Sequence, residues 1–308
     1  MYSTLPETFY IDLEEDIMNA VFHTVGVFLV LLLATQVVRK SKWIAVALYG
    51  VLTIVLSFTL IRQNGTAEGS TVNTWFTWAK LYSVIAGCLL ITYINYTKNG
   101  LRKLTQWLVF AILAVNILEA VGRDLEIFIR GDAFAVFGYG QAPAETAKFG
   151  IYHLLNALAG LLNIIALSGW ESMEVKSNGS GKDLLWRDLR PFWIGSYTIW
   201  NFAYIYNCVP AHAGYGIAVL AAAFVAGLFL NEGTWLQARA YTLGLWMLYV
   251  MSFTSLVDAP GNFIALPYNG VALTVVSSVS FILNLVFAWL AIKQRQSRFL
   301  PWPKKIWE

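Results

Sequence analysis

Residues 213–230 read AGYGIAVLAAAFVAGLFL, eighteen residues without a charge or a proline. A bilayer core about 30 Å thick is crossed by about 20 apolar residues in a helix, so this stretch reads as a membrane span. Small residues recur on all of its faces, which gives it a central place with close neighbours on several sides. Outward from it, eight further stretches qualify, near 17–38, 43–61, 73–97, 104–122, 149–169, 191–208, 235–255 and 269–292. The longest connections, 123–148 and 170–190, leave no room for a separate domain. The expectation is therefore an all-α polytopic membrane protein of about nine transmembrane helices. Residues 1–308 form a single membrane domain, with 1–16 as an acidic outer segment and 293–308 as a basic cytoplasmic tail.

Composition agrees. The 308 residues are 58% hydrophobic and 13% charged, with a mean hydropathy of +0.59. Soluble domains carry roughly 25% charged residues, so this surface cannot mostly face water. The formal charge of +3 excludes a strongly basic nucleic-acid binder. Its distribution matters more than its size. Alternate connections collect Arg39, Lys40, Lys42, Lys98, Arg102, Lys103, Lys176, Lys182, Arg187, Arg190, Lys293, Arg295, Arg298, Lys304 and Lys305, fifteen of the twenty-one basic residues. The other side holds Arg62, Arg123, Arg130 and Lys148. The positive-inside rule then puts the amino terminus outside and the carboxyl terminus in the cytoplasm, which requires an odd number of spans. The first sixteen residues hold Glu7, Asp12, Glu14, Glu15 and Asp16 and no basic residue, unlike the start of a signal peptide. Trp43, Trp75, Trp107, Trp170, Trp186 and Trp235 fall near expected helix ends, where amphipathic rings prefer to sit. Trp302 and Trp307, in the basic tail, are expected on the anionic inner leaflet.

Cofactor chemistry is not indicated. CxxC, HExxH, Walker and GxGxxG patterns are missing from the sequence, and three histidines are too few for a multi-histidine metal centre. Cys88 and Cys208 read as free thiols with neither a disulfide nor a metal role. All eight prolines avoid the span cores: Pro191 opens one helix, Pro210 follows its end, and Pro260 and Pro267 structure the last outer loop. Broken, proline-interrupted helices mark many alternating-access transporters, and that device is not visible here.

Polar groups at membrane depth are costly and mark candidate sites. Asn116, Glu119 and Arg123 sit at i, i+3 and i+7 on one helical face, with Glu119 and Arg123 spaced to pair. Lys80 lies one to two turns into the neighbouring span, within reach of Glu119. A second stripe, Tyr197, Trp200, Asn201 and Tyr204, needs partners for its indole and phenol groups. These eight residues are the expected ligand-binding set. His153, Asn156, Asn163, Ser277, Ser280 and Asn284 read as groups that bond helices together, and His23, His153 and His212 as interfacial residues near helix ends. Most of these polar residues share the outer half, which suggests a polar cavity open to the outer side and floored near Asn201.

The segments NILEAVGRDLE at 116–126 and PFWIGSYTIWNFAYIYNC at 191–208 resemble a bacterial family of multispanning membrane proteins known as a domain of unknown function. That resemblance implies the bacterial inner membrane and carries over no functional residue. The leading reading of function is a permease or receptor binding or transporting a small solute from outside. A structural or accessory subunit comes second. An intramembrane enzyme on a lipid-like substrate, with Glu119 as general base, comes third. The bilayer and a small-molecule ligand are the expected partners, with no nucleic acid and no cofactor.

Overall fold

The computed structural model describes residues 7–65, 72–131, 148–167, 169–178, 181–257, 262, 264, 266 and 269–296. Pro260, Pro267, Trp302, Trp307, the tail past Gln296 and the side chains of the acidic first sixteen residues lie outside the described residues.

Each of the nine apolar stretches is helical. The helices are α1 (Glu7–Val38), α2 (Lys42–Phe58), α3 (Leu60–Gly65), α4 (Trp75–Tyr96), α5 (Lys103–Arg130) and α6 (Ile151–Ala166). After a hairpin of β1 (Met173–Asn178) and β2 (Gly181–Trp186) come α7 (Pro191–Cys208), α8 (Ala213–Leu230), α9 (Trp235–Ser252), α10 (Thr254–Val257) and α11 (Gly270–Gln296). Local chemistry sets several starts. Thr74 accepts from the Thr77 amide at the head of α4, and Pro191 occupies the first turn of α7, where its missing N–H costs nothing. α5 runs eight residues past its expected end at 122, which brings Arg123, Asp124 and Glu126 into the helix.

Among the described residues, five helices are long and apolar enough to cross a membrane: Ile17–Val38, Trp75–Tyr96, Lys103–Arg130, Ala213–Leu230 and Gly270–Gln294. Lys42–Phe58 and Ile151–Ala166 are apolar but shorter. α7 and α9 fall outside both groups because they carry Trp, Tyr, Asn, Gln and Arg. Both are enclosed by other helices, and a helix that faces protein need not be apolar all round.

The helices pack as one bundle. α6 lies between α5 and α11, α7 against α6 and α11, and α9 against α4 and α8. Close approach depends on missing side chains. A Cβ at Gly160 of α6 would stand 2.5 Å from Val121 and 2.9 Å from the Trp200 indole nitrogen. One at Gly227 would stand 2.3 Å from the Trp235 backbone, so the tight return from α8 to α9 requires glycine there.

Among the described residues, the β-hairpin is the one departure from the all-helical expectation. Its antiparallel register runs from Met173↔Trp186 to Asn178↔Gly181, and it closes one end of the bundle through buried side chains. Arg39 grips Asp183 with two donors, Nε at 2.8 Å and Nη2. Gln237 Nε2 donates to the same carboxylate at 3.0 Å. The Gln237 oxygen in turn accepts from the Leu184 amide at 2.9 Å and from Asn95 at 2.8 Å. Trp186 and Trp235 are buried rather than interfacial, 1% and 2% exposed. The Trp186 indole donates to the Gly169 carbonyl, and Trp235 packs edge-on against Trp193 and Tyr197.

Candidate functional site

A cavity of about 330 Å³ lies between α4, α5, α7, α8 and α9. Its rim is made by residues beside the helix ends, among them Val72, Thr74, Pro210 and His212. Of the eight residues singled out from sequence, Lys80, Asn116, Arg123, Tyr197, Asn201 and Tyr204 line it. Small-molecule sites span roughly 300–1,000 Å³, so the space suits a compact ligand.

Each lining group has a local cause. Lys80 projects from the second turn of α4 to α5, where its ammonium lies 2.9 Å from Glu119 and 2.6 Å from the Asn116 carbonyl oxygen. Its Nζ also stands 5.2 Å from the Phe76 ring centre. Glu119 therefore pairs across helices with Lys80 rather than along α5 with Arg123. Arg123 pairs instead with Glu126, at 2.8 Å, and Glu126 also accepts from the Trp75 indole at 2.7 Å. The unforeseen extension of α5 supplies that competing carboxylate one turn further on. Trp200 faces away from the cavity: its indole donates to the Asn156 carbonyl at 3.0 Å, in the groove that Gly160 leaves open.

Arg239 stands outside the eight residues expected from sequence. It stands one turn into α9, lines the cavity and is 6% exposed. Its Nη2 donates to Asn201 at 3.4 Å, while Nε and Nη1 are buried without a hydrogen-bond partner. A signal was present in the charge arithmetic: the two loop groups and Lys80 account for twenty of the twenty-one basic residues, and Arg239 is the remainder. Tyr204, whose ring packs 5.2 Å from Phe76, likewise has a buried hydroxyl without a partner.

Behind the cavity wall lies a second polar cluster drawn from three helices. Asp124 is fully buried and accepts from Asn156 at 2.8 Å, with His153 Nδ1 at 2.8 Å from its other oxygen. Cys208, which lines the cavity, points its thiol at Asp124 from 3.3 Å. His153 is thus a core residue, 0% exposed, rather than an interfacial one. One ligand atom each from Asp124, His153 and Cys208 lies within 4.8 Å of the others, a donor set able to hold a borderline-soft divalent metal ion. The hydrogen bonds within the cluster already engage both Asp124 oxygens, and the His153 Nε2 is buried without a partner. Cys88 and Cys208 are both free thiols.

Fold and cavity together describe a helical bundle of membrane type that encloses a cationic pocket. The chain belongs to a family of unknown function (DUF5692), whose pattern matches residues 14–308. No curated protein and no solved structure matches it.

Proposed function

We propose that the protein is a nine-span bacterial inner-membrane protein that binds or carries a small solute through a cavity open to the outer side. The observation that carries this reading is the cavity itself. Lys80, Arg123 and Arg239 converge on a pocket whose other walls are largely apolar, the arrangement of a few polar anchors in an apolar surround that small-molecule sites share. Helices at all nine apolar stretches support the span count, and α7 and α9 cross the bilayer enclosed by the others. The segregation of basic residues supports the orientation. Under it, the hairpin end, with Arg39, Lys98, Lys182 and Arg187, faces the cytoplasm, and the cavity faces outward.

The experiment is site-directed labelling. In a Cys88→Ser, Cys208→Ser background, a cysteine substituted at Asn201 should react with a membrane-impermeant thiol reagent added outside intact cells, and not from the inner face of inverted vesicles. Reaction from the inner face alone would reverse the orientation. Failure to react from either side would remove the cavity as a solute site. Cys208 gives the enzyme reading one point of support, since its thiol meets both the cavity and the Asp124–His153 pair. Turnover of a bound solute by detergent-purified protein, where no gradient exists, would favour that reading over transport.

A further inference from the structure

Three cations line the cavity, and they are not equivalent. Lys80 has Glu119, and Arg123 has Glu126. Arg239 has no carboxylate within ion-pair distance among the described residues, only the weak bond to Asn201, and two of its three nitrogens lack any partner. An ionised group buried without a counter-charge is expensive, and arginine does not escape by losing its proton. A folded protein retains such a group where something outside the chain completes it.

The surroundings narrow what that is. Arg239, Leu243, Trp246, Met247 and Val250 all line the cavity from α9. Their spacing of i, i+4, i+7, i+8 and i+11 is one face of one helix. That face carries a guanidinium at its deep end and, from Leu243 to Val250, about 10 Å of apolar side chains above it, at a rise of about 1.5 Å per residue. The Tyr204 hydroxyl adds a second unpartnered polar group on the facing wall. A bare halide would use the cation and leave the apolar strip idle.

We infer that the cavity takes an organic anion: a carboxylate on an apolar body, the carboxylate held by the free donors of Arg239 and the body lying along Leu243, Trp246, Met247 and Val250. The inference rests on the reading of the cavity as a solute site and names its ligand class. The planar guanidinium fork matches a carboxylate in geometry and charge.

The test uses the full-length protein in detergent, with thermal unfolding and calorimetry in low-chloride buffer. The probes are benzoate, its neutral isostere benzamide, decanoate and chloride. Binding to the folded state alone raises the unfolding temperature, so benzoate or decanoate should raise it while benzamide and chloride at equal concentration do not. A larger response to benzoate marks a water-soluble acid as the source, and a larger one to decanoate marks a membrane-borne acid. Arg239→Gln should weaken benzoate about ten- to a hundredfold, the range for losing one charge-assisted bond. Asn201→Asp guards against a variant that fails to fold. It places a carboxylate beside Nη2, gives Arg239 an internal counter-ion, and should weaken benzoate by a similar factor with the fold intact.

Equal binding of benzamide and benzoate, unchanged in both variants, would overturn the anion inference and leave the solute cavity standing. A response to chloride matching that to benzoate would overturn the organic body. If no probe binds, the anion inference fails, and if a cysteine substituted at Asn201 is also unreactive, the cavity reading fails with it.

Discussion

Two buried arginines lie on either side of Gln237, Arg39 linked to it through Asp183 and Arg239 two residues further along α9, and their surroundings differ in one respect. Arg39, 7% exposed, meets Asp183 with two donors inside a network that also uses Gln237 and Asn95. Arg239, 6% exposed, meets a side-chain amide at 3.4 Å and an open cavity. Desolvating a guanidinium costs several kcal/mol at either place. At the hairpin end the protein supplies the counter-charge, and the result is a closed end. In the cavity it does not, and the unmet donors define what the pocket accepts. Burial alone does not separate structural from functional charge; the partner inventory does.

The contrast breaks first at Asp183. Asp183→Ala leaves Arg39 buried and unpaired, and should cost about 3–5 kcal/mol of unfolding free energy, measured by denaturation in detergent. Glu119→Gln should cost about 3 kcal/mol by stranding the Lys80 ammonium, with most of it recovered in the Lys80→Met, Glu119→Leu double variant. If the single variant is neutral, the Lys80–Glu119 pair does not hold α4 to α5. Gly160→Ala, which drives a methyl group into Val121 and the Trp200 indole, should cost about 1–3 kcal/mol by overpacking. An unchanged unfolding temperature there would show that α6 and α7 have slack at this crossing.

The smallest effect belongs to the solvent-facing hairpin. The hydrogen bond from Arg187 to Glu174, at 2.6 Å, holds the Glu174 carboxyl below the usual carboxylate range. A depressed folded value stabilises above the ordinary carboxylate pKa and is lost as pH falls through the folded one. Arg187→Ala should therefore raise the Glu174 pKa, read by NMR titration, with slight change in global stability because the pair is exposed.

What was legible in the sequence follows the same division. Long apolar runs such as 213–230 and 269–292 announce helices because lipid forces every backbone group to bond within its own segment. The Lys80–Glu119 contact was readable because adjacent spans joined by a short loop pack together. The hairpin left a weaker trace: MEVKSNGSGKDLLW carries Gly179-Ser180 between its two runs, but in a connection between spans that turn signal competes with an ordinary loop. The Asp124–His153–Cys208 cluster joins α5, α6 and α7, and no spacing within one helix reveals a contact made by three. Arg239 is the one charged residue of α9, in a run read as a span by its length and its lack of any other charge. A single charge in an otherwise hydrophobic run is the pattern to examine first, since membrane burial makes it costly to keep.

The most direct test sets the two arginines side by side: thermal unfolding of Arg39→Gln and Arg239→Gln, each with and without benzoate. Opposite outcomes are expected. Arg39→Gln loses stability and keeps its response to benzoate, while Arg239→Gln keeps or gains stability and loses the response. A variant Arg239→Gln that unfolds as readily as Arg39→Gln, with the benzoate response surviving in what remains folded, would contradict this expectation.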